Sequence, residues 1–146
     1  MTNSAIMLVA RLMMAWLFIP SGISKLLDNA TTTAYIETTA GLPMASLVGW
    51  VTGVFEIAFG AAIIIGFQTR VAGIALAVFC VLTAVLFHAG KGAVPGLSEQ
   101  AASLISELHF FMVFKNIAIA GGLLTLAMNG PGGWSLDGYR SRRSQA

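Results

Sequence analysis

Four long apolar stretches alternate with shorter polar segments along the chain. They occupy residues 6–26, 44–67, 71–89 and 108–128, and a polar tail follows over residues 130–146. A helix of about 20 apolar residues crosses the hydrocarbon core of a bilayer. Within the stretches the apolar residues point to every side, which is typical of a helix embedded in lipid. The pattern predicts an all-α integral membrane protein, a single domain over residues 1–146 that folds as a bundle of four helices.

The polar segments indicate how the spans are connected. Residues 25–43 predict a threonine-rich polar connection between the first two spans. The Gln-Thr-Arg sequence that ends at Arg70 predicts a tight turn in which Thr69 and Arg70 have structural roles. A loop is expected over residues 90–107, with a short amphipathic helix near residues 99–107.

Composition excludes several classes of protein. Hydrophobic residues make up 57% and charged residues 10% of the 146 residues, and the mean hydropathy is +0.84. A soluble domain carries about 25% charged residues. The net charge of +2 is too small for a nucleic-acid-binding surface. The strict alternation of a membrane β-barrel is absent from the sequence. The lipid bilayer is therefore the expected partner, and no nucleic acid is expected.

The distribution of lysine and arginine predicts the orientation. Short cytoplasmic loops carry an excess of these residues. Lys25 and Lys91 lie on one side of the predicted spans, and the remaining candidates lie on the other: Arg70, Arg140, Arg142 and Arg143, joined by Arg11 if it reaches back toward the amino end. We expect both termini in the cytoplasm, with the connections after the first and third spans facing outward.

Charged residues inside the spans are the candidate functional residues. An acid in the middle of a spanning helix costs about 2.5–3.5 kcal/mol and therefore faces a partner inside the protein. Glu56 lies near the middle of the second span, on the face that also carries Gly49, Gly53 and Gly60. Its expected ion-pair partner is Lys115 or Arg11, and the sequence does not choose between them. The pair would either fix helix packing or handle a proton or a ligand.

The other candidates cluster in the outer half of the predicted bundle. His88 lies near the outer end of the third span, and Lys25 ends the first span at the outer membrane boundary. Lys115 and its neighbour Asn116 lie deeper, in the outer half of the fourth span. These residues predict a ligand or proton-handling pocket that opens outward. No metal site is expected, since His88 has only His109 as company and neither HxxxH spacing nor a carboxylate-rich cluster is present. The different depths predicted for His88 and His109 argue against a pair of haem ligands.

Cys80 lies in an apolar run and is the only cysteine. A single thiol forms no internal disulfide, so a dithiol cycle within this chain is excluded. A small buried apolar role is expected for it.

The sequence resembles the DoxX family of small four-helix bacterial inner-membrane proteins over nearly its whole length. The resemblance rests on Glu56 and on the following segments: residues 10–12, 21–25, 41–43, 66–70, 82–84, 87–88, 114–116, 121–122 and 130–132, with Ser135 and Asp137. The positions that match the family pattern include the candidate residues Arg11, Lys25, Glu56, Arg70, His88, Lys115 and Asn116. The longer loop over residues 90–107 departs from that pattern.

The resemblance implies a membrane location but no single reaction. The family takes its name from a subunit of an archaeal thiosulfate–quinone oxidoreductase. Other members are linked to methylamine utilisation, to thiol and oxidative-stress systems or to responses to aromatic compounds. The chain carries no cofactor motif of its own, so redox chemistry would need a bound quinone or a redox partner subunit. Whether it is an enzyme stays open.

Three hypotheses follow from the residues and the resemblance. The first is a membrane subunit or accessory of an oxidoreductase or stress-response system, with a quinone or small aromatic ligand near Glu56, His88 and Lys115. The second is a small proton-coupled transport protein that titrates Glu56 and works as a homo-oligomer. The third is a structural or assembly partner of another membrane protein, in which the charges serve packing alone.

Overall fold

The computed structural model describes residues 2–91 and 98–144 of the chain. These residues form helices and no strand. The helices are α1 (Thr2–Leu27), α2 (Asn29–Ala40), α3 (Ala45–Ile65), α4 (Thr69–Thr83), α5 (Glu99–Asn129) and α6 (Leu136–Arg143). A π-helical turn (Ala84–His88) extends α4. Of the described helices, α1, α3, α4 with its π-helical turn, and α5 are long and apolar enough to cross a membrane. The predicted all-α bundle with four spans is confirmed.

The first three spans agree closely with residues 6–26, 44–67 and 71–89, but the connection over residues 25–43 is mostly helical. Asp28 caps α2 by accepting a hydrogen bond of 3.1 Å from the backbone N–H of Thr31. This bond holds the pKa of Asp28 below its ordinary value, because it stabilises the carboxylate. Gly41 ends α2 in the left-handed conformation, with φ of 62°. The sequence predicts this segment only as a polar connection; that most of it is helical is a finding of the structure, since α2 has a cap at each end but no apolar stripe that would reveal it.

The amphipathic helix expected near residues 99–107 and the span expected at residues 108–128 are joined without a break. The Ser98 hydroxyl caps α5 by accepting a 3.3 Å bond from the N–H of Ala101, and the helix then runs unbroken to Asn129. The amphipathic helix expected near residues 99–107 is the first part of α5. At about 1.5 Å per residue, α5 exceeds the thickness of a bilayer core. Residues 92–97 of the expected loop lie outside the described part of the chain.

Two closely packed helix pairs, α1 with α3 and α4 with α5, build the bundle. A Cβ atom added at Gly22 of α1 would lie 2.6 Å from the carbonyl oxygen of Gly53 in α3. One added at Gly73 of α4 would lie 2.9 Å from the carbonyl oxygen of Leu123 in α5. Small residues allow such close approach, which favours helix association in lipid. The pairs meet through a buried core that includes Phe18, Ile63, Leu76, Cys80 and Leu123.

The two ends of the bundle differ. At one end α2 packs against α3 and against the π-helical turn. At the other end the tail, expected to be simply polar over residues 130–146, forms α6 beside the start of α4. We refer to these as the α2 end and the α6 end.

Candidate functional site

A cavity of about 460 Å³ lies between the two helix pairs in the half of the bundle nearer the α2 end. Side chains from α1, α2, α3, α4 with its π-helical turn, and α5 line it, and most of them are apolar or aromatic. Five of the six residues expected to handle a ligand or a proton are in the lining: Lys25, Glu56, His88, Lys115 and Asn116. The sixth, Arg11, is not part of it.

Lys25 and Glu56 form an ion pair across α1 and α3. The Nζ atom of Lys25 lies 2.7 Å from Oε2 of Glu56 and donates a second 2.7 Å bond to the hydroxyl of Ser21. The Ser21 hydroxyl donates a 3.3 Å bond to Oε1 of Glu56. Ser21 and Lys25 are four residues apart and share one face of α1, so both reach the same carboxylate.

The expected pairing of Glu56 with Lys115 or Arg11 is therefore wrong. Lys25 reaches the carboxylate because α1 and α3 approach closely where Gly22 faces Gly53. Glu56 is buried, with a side chain only 5% exposed, whereas the Lys25 side chain is 26% exposed. The buried charge is thus neutralised by a lysine that stays in partial contact with the surface.

On the opposite wall, Asn116 of α5 is buried and binds α4. Its Nδ2 atom donates a 3.3 Å bond to the hydroxyl of Thr83. That hydroxyl donates to the carbonyl oxygens of Phe79 and Cys80, each at 3.0 Å. This chain of bonds holds the Asn116 amide at the cavity surface, where its oxygen is available as an acceptor.

Lys115 is placed differently from Lys25. It lines the cavity, yet the residue is exposed on the surface of α5. Within residues 2–91 and 98–144, no carboxylate lies within ion-pair distance of its ammonium group, and no hydrogen bond to it is formed. Among the described residues, the charge of Lys25 is therefore paired with a carboxylate, whereas the charge of Lys115 is not.

His88 and His109 are neighbours. Their Nδ1 atoms are 3.0 Å apart, so one ring donates a hydrogen bond to the other. The expectation that the two rings lie at different depths is wrong, because the π-helical turn and the early start of α5 bring both to the α2 end. In the part of the chain that the structure describes, no group of three or more metal-ligating side chains forms around them.

Tyr35 also lines the cavity, although it is not among the candidate residues predicted from the sequence. Its ring stacks on Phe87 of the π-helical turn, with centroids 5.7 Å apart and planes 14° from parallel. Burial raises the pKa of the Tyr35 phenol, with a smaller opposing effect from a hydrogen bond with Thr39. Tyr35 is the only aromatic residue of α2. A lone aromatic residue in a polar connection is the one signal that could have marked it.

Arg11 and Thr69 lie at the α6 end. The fully buried Arg11 donates from Nη1 to the carbonyl of Ile64 at 3.0 Å and from Nη2 to the carbonyl of Trp134. The backbone N–H and the hydroxyl of Thr69 both donate to Oδ2 of Asp137 at 2.9 Å. Asp137 thus caps α4, while Arg70 is exposed on the first turn of that helix.

The environment of Asp137 favours its charged form. Burial raises the pKa of this carboxyl, but hydrogen bonds donated by Thr69 and Gln68, together with nearby Arg140, outweigh burial. The pKa therefore lies below its ordinary value, and the carboxylate stabilises the start of α4 at neutral pH.

The sequence of this chain, with its four spans and charged cavity, was compared with known proteins. A family model described as DoxX matches residues 6–89. The chain belongs to the DoxX family. Inner membrane protein YqjF of Escherichia coli is 39% identical to this DoxX protein over 132 residues, which covers 89% of this chain and 88% of the relative.

Two further relatives also align over most of their length. Inner membrane protein YphA of Escherichia coli is 30% identical over 132 residues, covering 90% of this chain and 88% of the relative. An uncharacterized membrane protein of Mycobacterium tuberculosis is 29% identical over 142 residues, covering 93% and 82%. No solved structure shows significant similarity to the chain. The DoxX protein described here is a multi-pass integral protein of the bacterial inner membrane.

Proposed function

We propose that this DoxX protein is a membrane subunit or accessory of an oxidoreductase or stress-response system and binds a quinone or small aromatic ligand in its cavity. One observation carries the proposal: residues from four spans place Lys25, Glu56, His88, Lys115 and Asn116 around a single, largely apolar cavity. Charged groups are costly at this depth, so their convergence favours a binding role over packing alone.

The size and lining of the cavity suit a ring-shaped ligand. Ligand sites typically occupy about 300–1,000 Å³ and combine apolar walls with a few fixed polar groups. At about 460 Å³ the cavity falls in this range. The amide of Asn116, held by Thr83, would orient a ring hydroxyl, and the Lys115 ammonium would donate to a ring carbonyl.

The charged and amide side chains of the lining can bind a ligand and move protons, but they do not exchange electrons. Lysine, glutamate, histidine and asparagine have no accessible redox chemistry, so electron transfer would depend on a bound quinone or a partner subunit. This supports an accessory role in preference to independent turnover.

Ligand binding can be tested by filling the cavity. We would measure saturable binding of menadione to the protein in lipid nanodiscs, with empty nanodiscs as the partition control. Val48 lines the cavity, whereas Val51, on the same helix, is 58% exposed to the bilayer. Val48→Phe should weaken binding at least about tenfold, and Val51→Phe should leave it unchanged. Absence of saturable binding, or equal effects of the two variants, would count against the proposal.

We also infer that the α6 end is cytoplasmic. Five arginines lie at this end (Arg11, Arg70, Arg140, Arg142 and Arg143), whereas Lys25 and Lys91 lie toward the α2 end. In a Cys80→Ser background, an impermeant maleimide added to spheroplasts should label Ser103→Cys. It should label Ser141→Cys only after permeabilisation. The reverse pattern would invert the orientation.

A further inference from the structure

The charges around the cavity do not balance. The chain has six acidic residues, all within the described ranges, and Glu56 is the only one of them that lines the cavity. Its carboxylate is already 2.7 Å from Lys25 and also accepts a bond from Ser21. No carboxylate of the described residues is left for Lys115.

The remaining polar groups of the lining do not supply a negative charge. The ring of His88 is bonded to His109, and the Asn116 amide donates to Thr83. Cys80 is buried in the apolar core between the helix pairs. The cavity therefore carries one surplus positive charge, that of Lys115.

The position of Lys115 allows a ligand to reach that charge. By residue count it is the seventeenth residue of the 31-residue α5, so it lies well away from both ends of the helix. It is exposed on the surface of α5 and also lines the cavity. An ammonium group at this depth is poorly solvated, and an anion placed beside it would relieve that penalty.

We propose that the ligand of this cavity is a membrane-dissolved aromatic or quinonoid compound with an anionic oxygen, which pairs with the ammonium group of Lys115. The proposal rests on the proposed function, because it concerns the same cavity. It narrows the ligand class to ring compounds that are ionised at neutral pH, such as phenolates, hydroxyquinones and aromatic acids. The apolar walls of the cavity would contact the ring, and the ammonium group of Lys115 would favour ligands that carry a negative charge.

The experiment compares two naphthoquinones that differ at one ring position, which carries a methyl group in one and a hydroxyl group in the other. Menadione is a neutral naphthoquinone, and lawsone is a hydroxynaphthoquinone that is ionised at pH 7. Each would be titrated into the protein in phosphatidylcholine nanodiscs, with empty nanodiscs used to correct for partition into the lipid. After this correction the wild-type protein should bind lawsone at least about tenfold more tightly than menadione.

Three lysine variants distinguish the effect of the Lys115 charge on ligand binding from the effect of its side-chain packing. Lys115→Met should abolish the preference for lawsone, and Lys115→Arg should retain it. Lys91→Met, which removes a lysine that does not line the cavity, should have no effect. The wild-type preference should also disappear when the pH falls below the ionisation range of lawsone.

The outcomes distinguish this proposal from the broader one. Equal binding of both ligands to the wild type, or equal losses for both in Lys115→Met, would overturn the anion proposal and leave the ligand cavity standing. Failure of both ligands to bind the wild type would overturn the two proposals together. If Lys115→Met kept the preference for lawsone, another group would have to bind the anion, and the proposed role of Lys115 would be refuted.

Discussion

Removing either member of the Lys25–Glu56 pair should destabilise the protein, but by unequal amounts. Breaking a buried ion pair costs about 3–5 kcal/mol when the remaining charge stays buried. In Lys25→Met the remaining group is Glu56, whose side chain is 5% exposed and keeps only the weak bond from Ser21. We expect this variant to lose about 3 kcal/mol of unfolding free energy.

In Glu56→Gln the remaining charge is in a different environment. The Lys25 side chain is 26% exposed, lies near the end of α1 and can extend its ammonium group toward water. It also keeps its bond to Ser21. The cost should therefore be about 1 kcal/mol, in the range of a partly exposed ion pair.

The double variant tests whether the two effects share one cause. Lys25→Met with Glu56→Gln removes both charges, so its loss should be well below the sum of about 4 kcal/mol for the single variants. The coupling should amount to about 2 kcal/mol. The assay is equilibrium unfolding in mixed micelles, with Lys91→Met as the control for removing a lysine outside the cavity. Equal losses for the two single variants, or strict additivity in the double variant, would refute this reasoning.

Three other predictions concern the close packing, the α6 end and the core. Gly22→Ala should cost about 1–3 kcal/mol in unfolding experiments because its Cβ meets Gly53, whereas Gly121→Ala, with no atom within 4 Å, should be neutral or stabilising; equal effects would contradict the packing argument. Asp137→Asn should lower Tm at pH 7. The pKa of Asp137 is below its unfolded value, so its contribution is present above about pH 4 and is lost as the pH falls through the folded pKa. The Tm difference should therefore shrink in acid, and a constant difference would exclude a charge effect. Buried Cys80 should react with a maleimide too bulky for the cavity only after unfolding; rapid labelling of the folded protein by this reagent would show that the core is open.

The spans could be predicted from the sequence because the bilayer imposes a minimum apolar length on each of them. The short elements could not. In α2 the capping residues Asp28 and Gly41 are recognisable, but the helix between them has no apolar face to give it a period. The helix near residues 99–107 is predicted, but not its continuity with the fourth span, because these residues are polar enough to resemble part of a loop.

The candidate residues were identified from their type and depth, but their pairing depended on the approach of helices. Lys25 was assigned to the membrane boundary, and its reach to Glu56 required knowing that α1 and α3 pack together at Gly22 and Gly53. Likewise the contact between His88 and His109 depends on the π-helical turn, and no pattern in residues 84–88 predicts that turn. The depth of a residue in the membrane can be inferred from its own helix, whereas its partner depends on how two helices pack.

The α6 end is completed by residues that are far apart in the sequence. Asp137 caps α4 across 68 residues, and the carbonyl that accepts from Arg11 belongs to Trp134, 123 residues later. Since a ribosome makes the chain from its amino end, α1 and α4 enter the membrane before these partners exist. The translocation machinery or the lipid headgroups must solvate Arg11 and the first turn of α4 during this interval. Closure of the α6 end therefore has to wait until Trp134 and Asp137 have been made, and a chain truncated before Trp134 would keep its four spans but leave that end unsealed.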